Sequence, residues 1–201
     1  MRIIRQSSFA AVPWKNGGGI THQAIRVPPD GDSFDWRVSL AHIERDGPFS
    51  DFADYHRFMV LLKGAGVVLT FSDGATPCAR PLRAVGDMQE FDGGLATHCE
   101  LVDGPCVDLN LMVTKTLRGV RARVEALQEA RSFGLGSHDW MLVFPIDAGV
   151  ELALGASTNQ LEPWDLAVLS GRQEPEVRII GPGRGERVKL FVASLPCEHA
   201  T

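Results

Sequence analysis

The chain has 201 residues, 44% of them apolar and 22% charged, and a formal net charge of −5. That length allows one sizeable core or two small ones, the composition is that of an ordinary globular protein, and the acidic balance argues against a nucleic-acid surface. No apolar run approaches the ~20 residues a helix needs to cross a bilayer, and the N-terminal stretch "MRIIRQSSFAAVPW" is too short in apolar residues for a signal peptide, so a cytoplasmic location is expected.

The first segment of note is "PWKNGGGITHQ", Pro13 to Gln23. Three glycines beside Lys15 suggest a phosphate loop, but the Gly-Lys-Ser/Thr ending is missing. His22 occupies the last glycine place of a dinucleotide fingerprint, and no convincing helix follows. The segment reads as a glycine-rich turn.

Three strands follow. In "DWRVSLAHI" Trp36, Val38 and Leu40 share one face, and Arg37, Ser39 and Ala41 the other. In "YHRFMVLLKG" Arg57 shares its face with Met59 and Leu61. In "VDLNLMV" Asp108, Asn110 and Met112 oppose Leu109, Leu111 and Val113. Each strand is apolar on one side and mixed on the other. Two arrangements give that pattern. One is a half-solvated sheet with its polar face in water. The other is a barrel with a few polar groups around a cavity. In the second, Arg37 and Arg57 are permanently charged forks for a carboxylate, Asp108 steadies one of them, and Asn110 both donates and accepts.

"VRARVEALQEAR", Val120 to Arg131, has no glycine or proline and is mostly good helix formers, so a helix is predicted there. Beyond it, "DWMLVFPIDAGVELAL", "DLAVLSG" and "RVKLFVASL" are strand-like. Short apolar runs between frequent turn signals ("PPDGD", "RDGPF", "KGAG", "FDGG", "GPGRG") make the chain all-β. The expected domains are an N-terminal barrel over residues 1–118, and a connecting helix with a C-terminal barrel over 119–201. No low-complexity linker divides them, so packing as one compact unit is expected. Cys78, Cys99, Cys106 and Cys197 form no Cys-x-x-Cys pair and read as reduced thiols.

Taken in order, "PWKNGGGITHQ", "WRVSLAHIERDGPFSDF", "RFMVLLKGAG", "FDGG" and "LVDGPCVDLNLMV" resemble the HutD/Ves family of cupin-fold proteins. The resemblance covers about residues 12–115. It implies a bicupin: two related β-barrels in one chain. It also implies a place in bacterial histidine utilisation, binding an acidic metabolite such as N-formylglutamate or urocanate, with a regulatory rather than catalytic role. Carried over by matching motif, Lys15, Asn16, Thr21, Arg37, Ser39, Arg57 and Asn110 become pocket residues, with Asp108 beside them. Lys15 and Asn16 would then sit on a loop folded over the barrel mouth. Gln23 replaces a glutamate common after the glycine loop, and Ala53-Asp54 replaces a Pro-Gly turn.

Cupin enzymes commonly hold a metal through a His-x-His pair, a glutamate and a later histidine. Here Arg57 falls where the glutamate would be, and Asp51 and Ala53, or Ser50 and Phe52, where the two histidines would be. A cation at that place favours an anion over a divalent metal, so no metal or cofactor is expected. His56 and His98 read as pointing away from the cavity or as surface groups, and His22 as a candidate for its rim. Two other roles stay open: a metal-independent isomerase or hydrolase with Asp108 as base, and an interaction protein with a vestigial pocket. A homodimer is compatible with each.

Overall fold

A computed structural model describes residues 1–14, 19–72, 74, 76–136, 139–183 and 186–196. Among them the protein is all-β, and the one helical feature is a single 3-10 turn at Gln6–Ser8. No helix is long and apolar enough to cross a membrane. The chain divides into two compact units. One is Phe9–Thr116, and the other joins Met1–Ser8 to Leu117–Thr201. The opening strand, β1 (Arg2–Ile4), therefore belongs with the C-terminal half, not with the N-terminal part to which the sequence reading gave it.

The Phe9–Thr116 unit contains β2 (Ala10–Pro13), β3 (Gly19–Val27), β4 (Trp36–Ile43), β5 (Gly47–Pro48), β6 (Tyr55–Lys63), β7 (Val67–Ser72), β8 (Cys78–Leu82), β9 (Met88–Asp92), β10 (Ala96–Leu101) and β11 (Cys106–Thr114). They form a six-stranded sheet, β2-β3-β4-β11-β6-β9, and a four-stranded sheet, β5-β10-β7-β8. Every pairing is antiparallel. Ile43, Met59, Leu61 and Cys106 from the first sheet meet Val67, Leu69, Leu82 and Cys99 from the second in one apolar core.

The other unit adds β12 (Arg121–Leu127), β13 (Arg131–Gly134), β14 (Asp139–Pro145), β15 (Val150–Leu154), β16 (Ser157–Leu161), β17 (Leu166–Ser170), β18 (Glu176–Ile180) and β19 (Val188–Pro196). Its sheets are β1-β17-β14-β19-β12 and β13-β18-β15-β16. Val143, Leu169 and Leu190 of the first sheet pack on Leu152, Val177 and Ile179 of the second. In neither unit do the two sheets share a ladder among the described strands, so each unit is a barrel-like pair of packed sheets that no hydrogen-bonded seam closes.

The helix expected over Val120–Arg131 is absent. Arg121–Leu127 is instead β12, an edge strand paired along its whole length with β19. Arg121 and Arg123 are exposed while Ala122 and Val124 are half-buried, a period of two. Helix propensity is worth only tenths of a kcal/mol per residue, and a ladder with a buried neighbour outweighs it. The charged side chains also suit an edge, where they discourage pairing with another chain.

Candidate ligand-binding site

The three strands with a mixed face are neighbours. In the six-stranded sheet β11 lies between β4 and β6, with Asn110 opposite both Ser39 and Met59, and Met112 opposite both Arg37 and Arg57. β3 continues the lattice, placing Thr21 beside Ala41 and Gln23 beside Ser39. The polar face therefore runs over four adjacent strands. It does not face water: Asp108 is fully buried, and Ser39, Asn110 and Arg57 retain only 2%, 4% and 7% of their exposure. The half-solvated arrangement is thus overturned by burial. Toward one end this face is packed core, at Ile43, Met59 and Leu61. Toward the other it floors a cavity of about 550 Å³.

Thr21, Arg37, Ser39, Arg57, Asp108 and Asn110 all line that cavity. Lys15 and Asn16, also expected there, lie outside the described residues. Nearby, the Trp14 amide donates to the Gly19 carbonyl at 2.9 Å, and the Trp14 indole N–H donates to Thr21 Oγ1 at 2.7 Å. A β-carbon on Gly19 would stand 2.1 Å from the His42 carbonyl oxygen, so only glycine lets the backbones approach this closely.

Arg57 is held by a neutral partner. Its Nε and one terminal nitrogen donate to Asn110 Oδ1, at 3.2 and 2.9 Å. Asn110 Nδ2 donates in turn to Asp108 Oδ1 at 2.6 Å. The carboxylate thus steadies the arginine through an amide, not by direct pairing. Burial pulls the Arg57 guanidinium down to about 10, partly offset by the charge of Asp108, so it stays cationic at neutral pH. The same burial pushes the Asp108 carboxyl up to about 7, opposed by Arg57 and by the bond from Asn110. Arg37 is also lowered, first by burial and then by Arg26. It donates to Met112 Sδ at 2.9 Å, a weak acceptor. Two buried atoms of the site have no hydrogen-bond partner among the described residues: Arg37 Nε and Asp108 Oδ2.

Aromatic rings cover the two guanidinium groups. Arg57 lies over Phe49, Phe91 and Phe52, with centroids 4.9, 5.0 and 5.8 Å away. Arg37 lies over Phe34 and Phe52, at 5.0 and 5.4 Å. Phe52 is common to both. Such contacts orient a cation without neutralising it. Phe49 and Phe52 come from the connection "FSDFAD" between β5 and β6. The "FDGG" turn pins that connection: Phe52 N–H donates to the Gly93 carbonyl, and Gly93 N–H to the Tyr55 carbonyl. A β-carbon on Gly93 would lie 2.6 Å from the Phe52 carbonyl oxygen, which explains the glycine.

The sequence reading did not assign Phe49, Trp14 or Met112 to the site, and weighed Phe52 only as occupying a metal-ligand place. Loop aromatics carry no periodic signal. Met112 was recoverable, since it shares the face of Asp108 and Asn110. His22 falls on the opposite face from Thr21 and Gln23, its ring 4.9 Å from that of His42, and does not line the rim. His98 is exposed. Among the described residues no three His, Cys, Asp or Glu side chains gather as a metal cluster. Arg37 and Arg57 line one cavity, so the observation that would have favoured a purely interacting role, arginines apart in solvent, is not met.

Comparison with known proteins gives a consistent picture. The HutD family model matches residues 6–185. An uncharacterised 21.2 kDa protein of Pseudomonas putida, from the region 3′ of hutC, is 34% identical over 176 residues, 87% of this chain and 89% of that one. Protein Ves of Escherichia fergusonii is 30% identical over 100 residues, about half of each chain. A conserved Pseudomonas aeruginosa PAO1 protein of unknown function superimposes with a TM-score of 0.84 at 30% identity, over 97% of this chain and 98% of that one. HutD from Pseudomonas fluorescens SBW25, in a formate condition, gives 0.75 at 28%, over 96% and 98%. Lactobacillus farciminis oxalate decarboxylase gives 0.68 at 8% identity, over 99% and 87%, a likeness of fold alone. The chain therefore belongs to the HutD family, all-β proteins of bicupin fold associated with the histidine-utilisation locus.

Proposed function

We propose that this protein is a non-enzymatic binding protein of histidine utilisation that senses a small acidic metabolite, of the N-formylglutamate or urocanate class. One observation carries the reading. Arg57 is almost fully buried at a cavity, still cationic, and its hydrogen-bond partner is a neutral amide. With Arg37 beside the same cavity, the site holds more positive than negative charge, a costly state that a bound carboxylate relieves. Arginine forks suit carboxylates through paired N–H donors. Thr21 and Ser39 supply hydroxyls, and Asn110 and Asp108 the support. The formate condition of the related Pseudomonas fluorescens HutD fits this class of ligand, formate being the smallest carboxylate.

Calorimetric titration tests the reading. N-formylglutamate or urocanate binds the wild-type protein, and Arg57→Ala weakens that binding at least about a hundredfold, the scale of a lost charge-assisted pair. Unchanged affinity in a folded Arg57→Ala protein overturns it. A second reading, a metal-independent isomerase or hydrolase, draws on one observation: a cavity carboxyl raised to about 7 has the affinity of a general base. Product appearing during those titrations would mark that role.

A further inference from the structure

The hydrogen bonds of the site run in one direction, and the direction is forced. Arginine only donates, so the Asn110 atom facing Arg57 must be its oxygen. Asn110 therefore presents its NH₂ to Asp108, and Asp108 Oδ1 accepts it. The other carboxylate oxygen, Oδ2, is buried without a partner among the described residues, on a residue that lines the cavity. Its cross-strand neighbours do not complete it: Ala41 and Leu61, opposite Asp108 on β4 and β6, have apolar side chains. A buried acceptor left unpaired is expensive, and the missing group has to be a donor. While Asp108 is ionised, a ligand carboxylate cannot supply it, because two carboxylate oxygens repel. Another part of the ligand, within the same small cavity that holds its acid group, can supply the donor.

We propose that Asp108 Oδ2 accepts a hydrogen bond from a ligand N–H, so that the cavity selects small carboxylates carrying an amide or imidazole N–H over plain ones. This rests on the carboxylate-binding reading above and sharpens it. The arginines would fix the acid, and Asp108 would read the nitrogen. Discrimination of this kind is strong, because a ligand lacking the donor leaves the buried oxygen unpaired.

Matched pairs titrated by calorimetry at about pH 8, above the range in which the Asp108 carboxyl gains its proton, test it. N-formylglutamate is compared with 2-formyloxyglutarate, in which oxygen replaces N–H. Urocanate is compared with 3-(1,3-oxazol-4-yl)acrylate, in which ring oxygen replaces the N–H. The expected result is that the N–H member of a pair binds at least about tenfold more tightly. In Asp108→Asn the forced polarity makes residue 108 present its oxygen to Asn110 and its NH₂ to the cavity. The preference then disappears or reverses toward the oxygen analogue. Equal affinity within each pair on the wild-type protein overturns the inference while leaving carboxylate binding intact. Failure of all four compounds overturns both.

Discussion

At the scale of single residues, Asp108 shows how a buried polar group couples site chemistry to stability. Burial lifts its carboxyl from an ordinary 3.8 to about 7. Between those values the folded chain keeps a proton that the unfolded chain has released. This group therefore makes stability fall as pH climbs from about 4 to about 7, with no further loss above that. Its ionisable neighbours do not titrate in that window: Arg57 sits near 10, Cys99 near 12, and Cys106 is raised above its ordinary 9.0. Asp108→Asn lacks this titration. The melting temperature of the ligand-free variant, minus that of the wild type, should therefore grow between about pH 5 and about pH 8. A difference that stays constant over that range would show that the carboxyl titrates normally. Part of this residue-level picture was legible in the sequence, because strand alternation put Arg37, Ser39, Arg57, Asp108 and Asn110 on the mixed faces of their strands, while a half-solvated sheet and a cavity both remained compatible with that pattern. What alternation does not encode is pairing. Whether Asp108 meets Arg57 directly or through Asn110 depends on sub-ångström placement across two strands.

At the scale of elements, the opening loop and its neighbouring strand show a glycine used for close approach. Gly19 begins β3, pairs opposite Ile43, and presses its α-carbon toward the His42 carbonyl. Gly19→Ala forces β3 and β4 apart where they frame the cavity. We expect a loss of about 2–3 kcal/mol, read as a lower urea midpoint, and an unchanged midpoint would show that the strands part freely. The sequence marked Gly19 as part of a turn, and its packing role appears only in the fold. The misread segment teaches the complementary lesson. "RARV" alternates as an edge strand should, but "VEALQEAR" reads as helix, and local preference does not show that β19 offers a partner for the whole of Arg121–Leu127. Phe49 and Phe52 were out of reach for a third reason: irregular connections have no period, and a ring over a guanidinium leaves no trace in spacing.

At the scale of the whole molecule, polar burial is divided unevenly between the two units. Of the buried polar or charged side chains among the described residues, Ser39, Arg57, Thr97, Asp108 and Asn110 fall in Phe9–Thr116, and only Asp165 in the other unit. Asp165 is structural. Its Oδ1 accepts from the Gln6 amide at 2.8 Å, and its Oδ2 from Arg5 at 2.6 Å and from the Glu162 amide at 3.2 Å, tying the first residues to the C-terminal half. Asp165→Ala leaves two backbone donors unpaired. It should cost about 2–3 kcal/mol, seen as a lower melting temperature, while ligand affinity at 25 °C stays within about twofold. A matching loss of affinity would show that the two units are coupled. Cys99, which faces the same core as Ile43 and Leu69, has its thiol pushed up to about 12 by burial, so it stays unreactive in that core. The surplus of guanidinium over carboxylate in the cavity has a practical corollary. On the proposed carboxylate-binding reading, small anions such as formate or acetate compete for the same guanidinium groups, so the measured affinity should fall as the concentration of such a buffer anion rises.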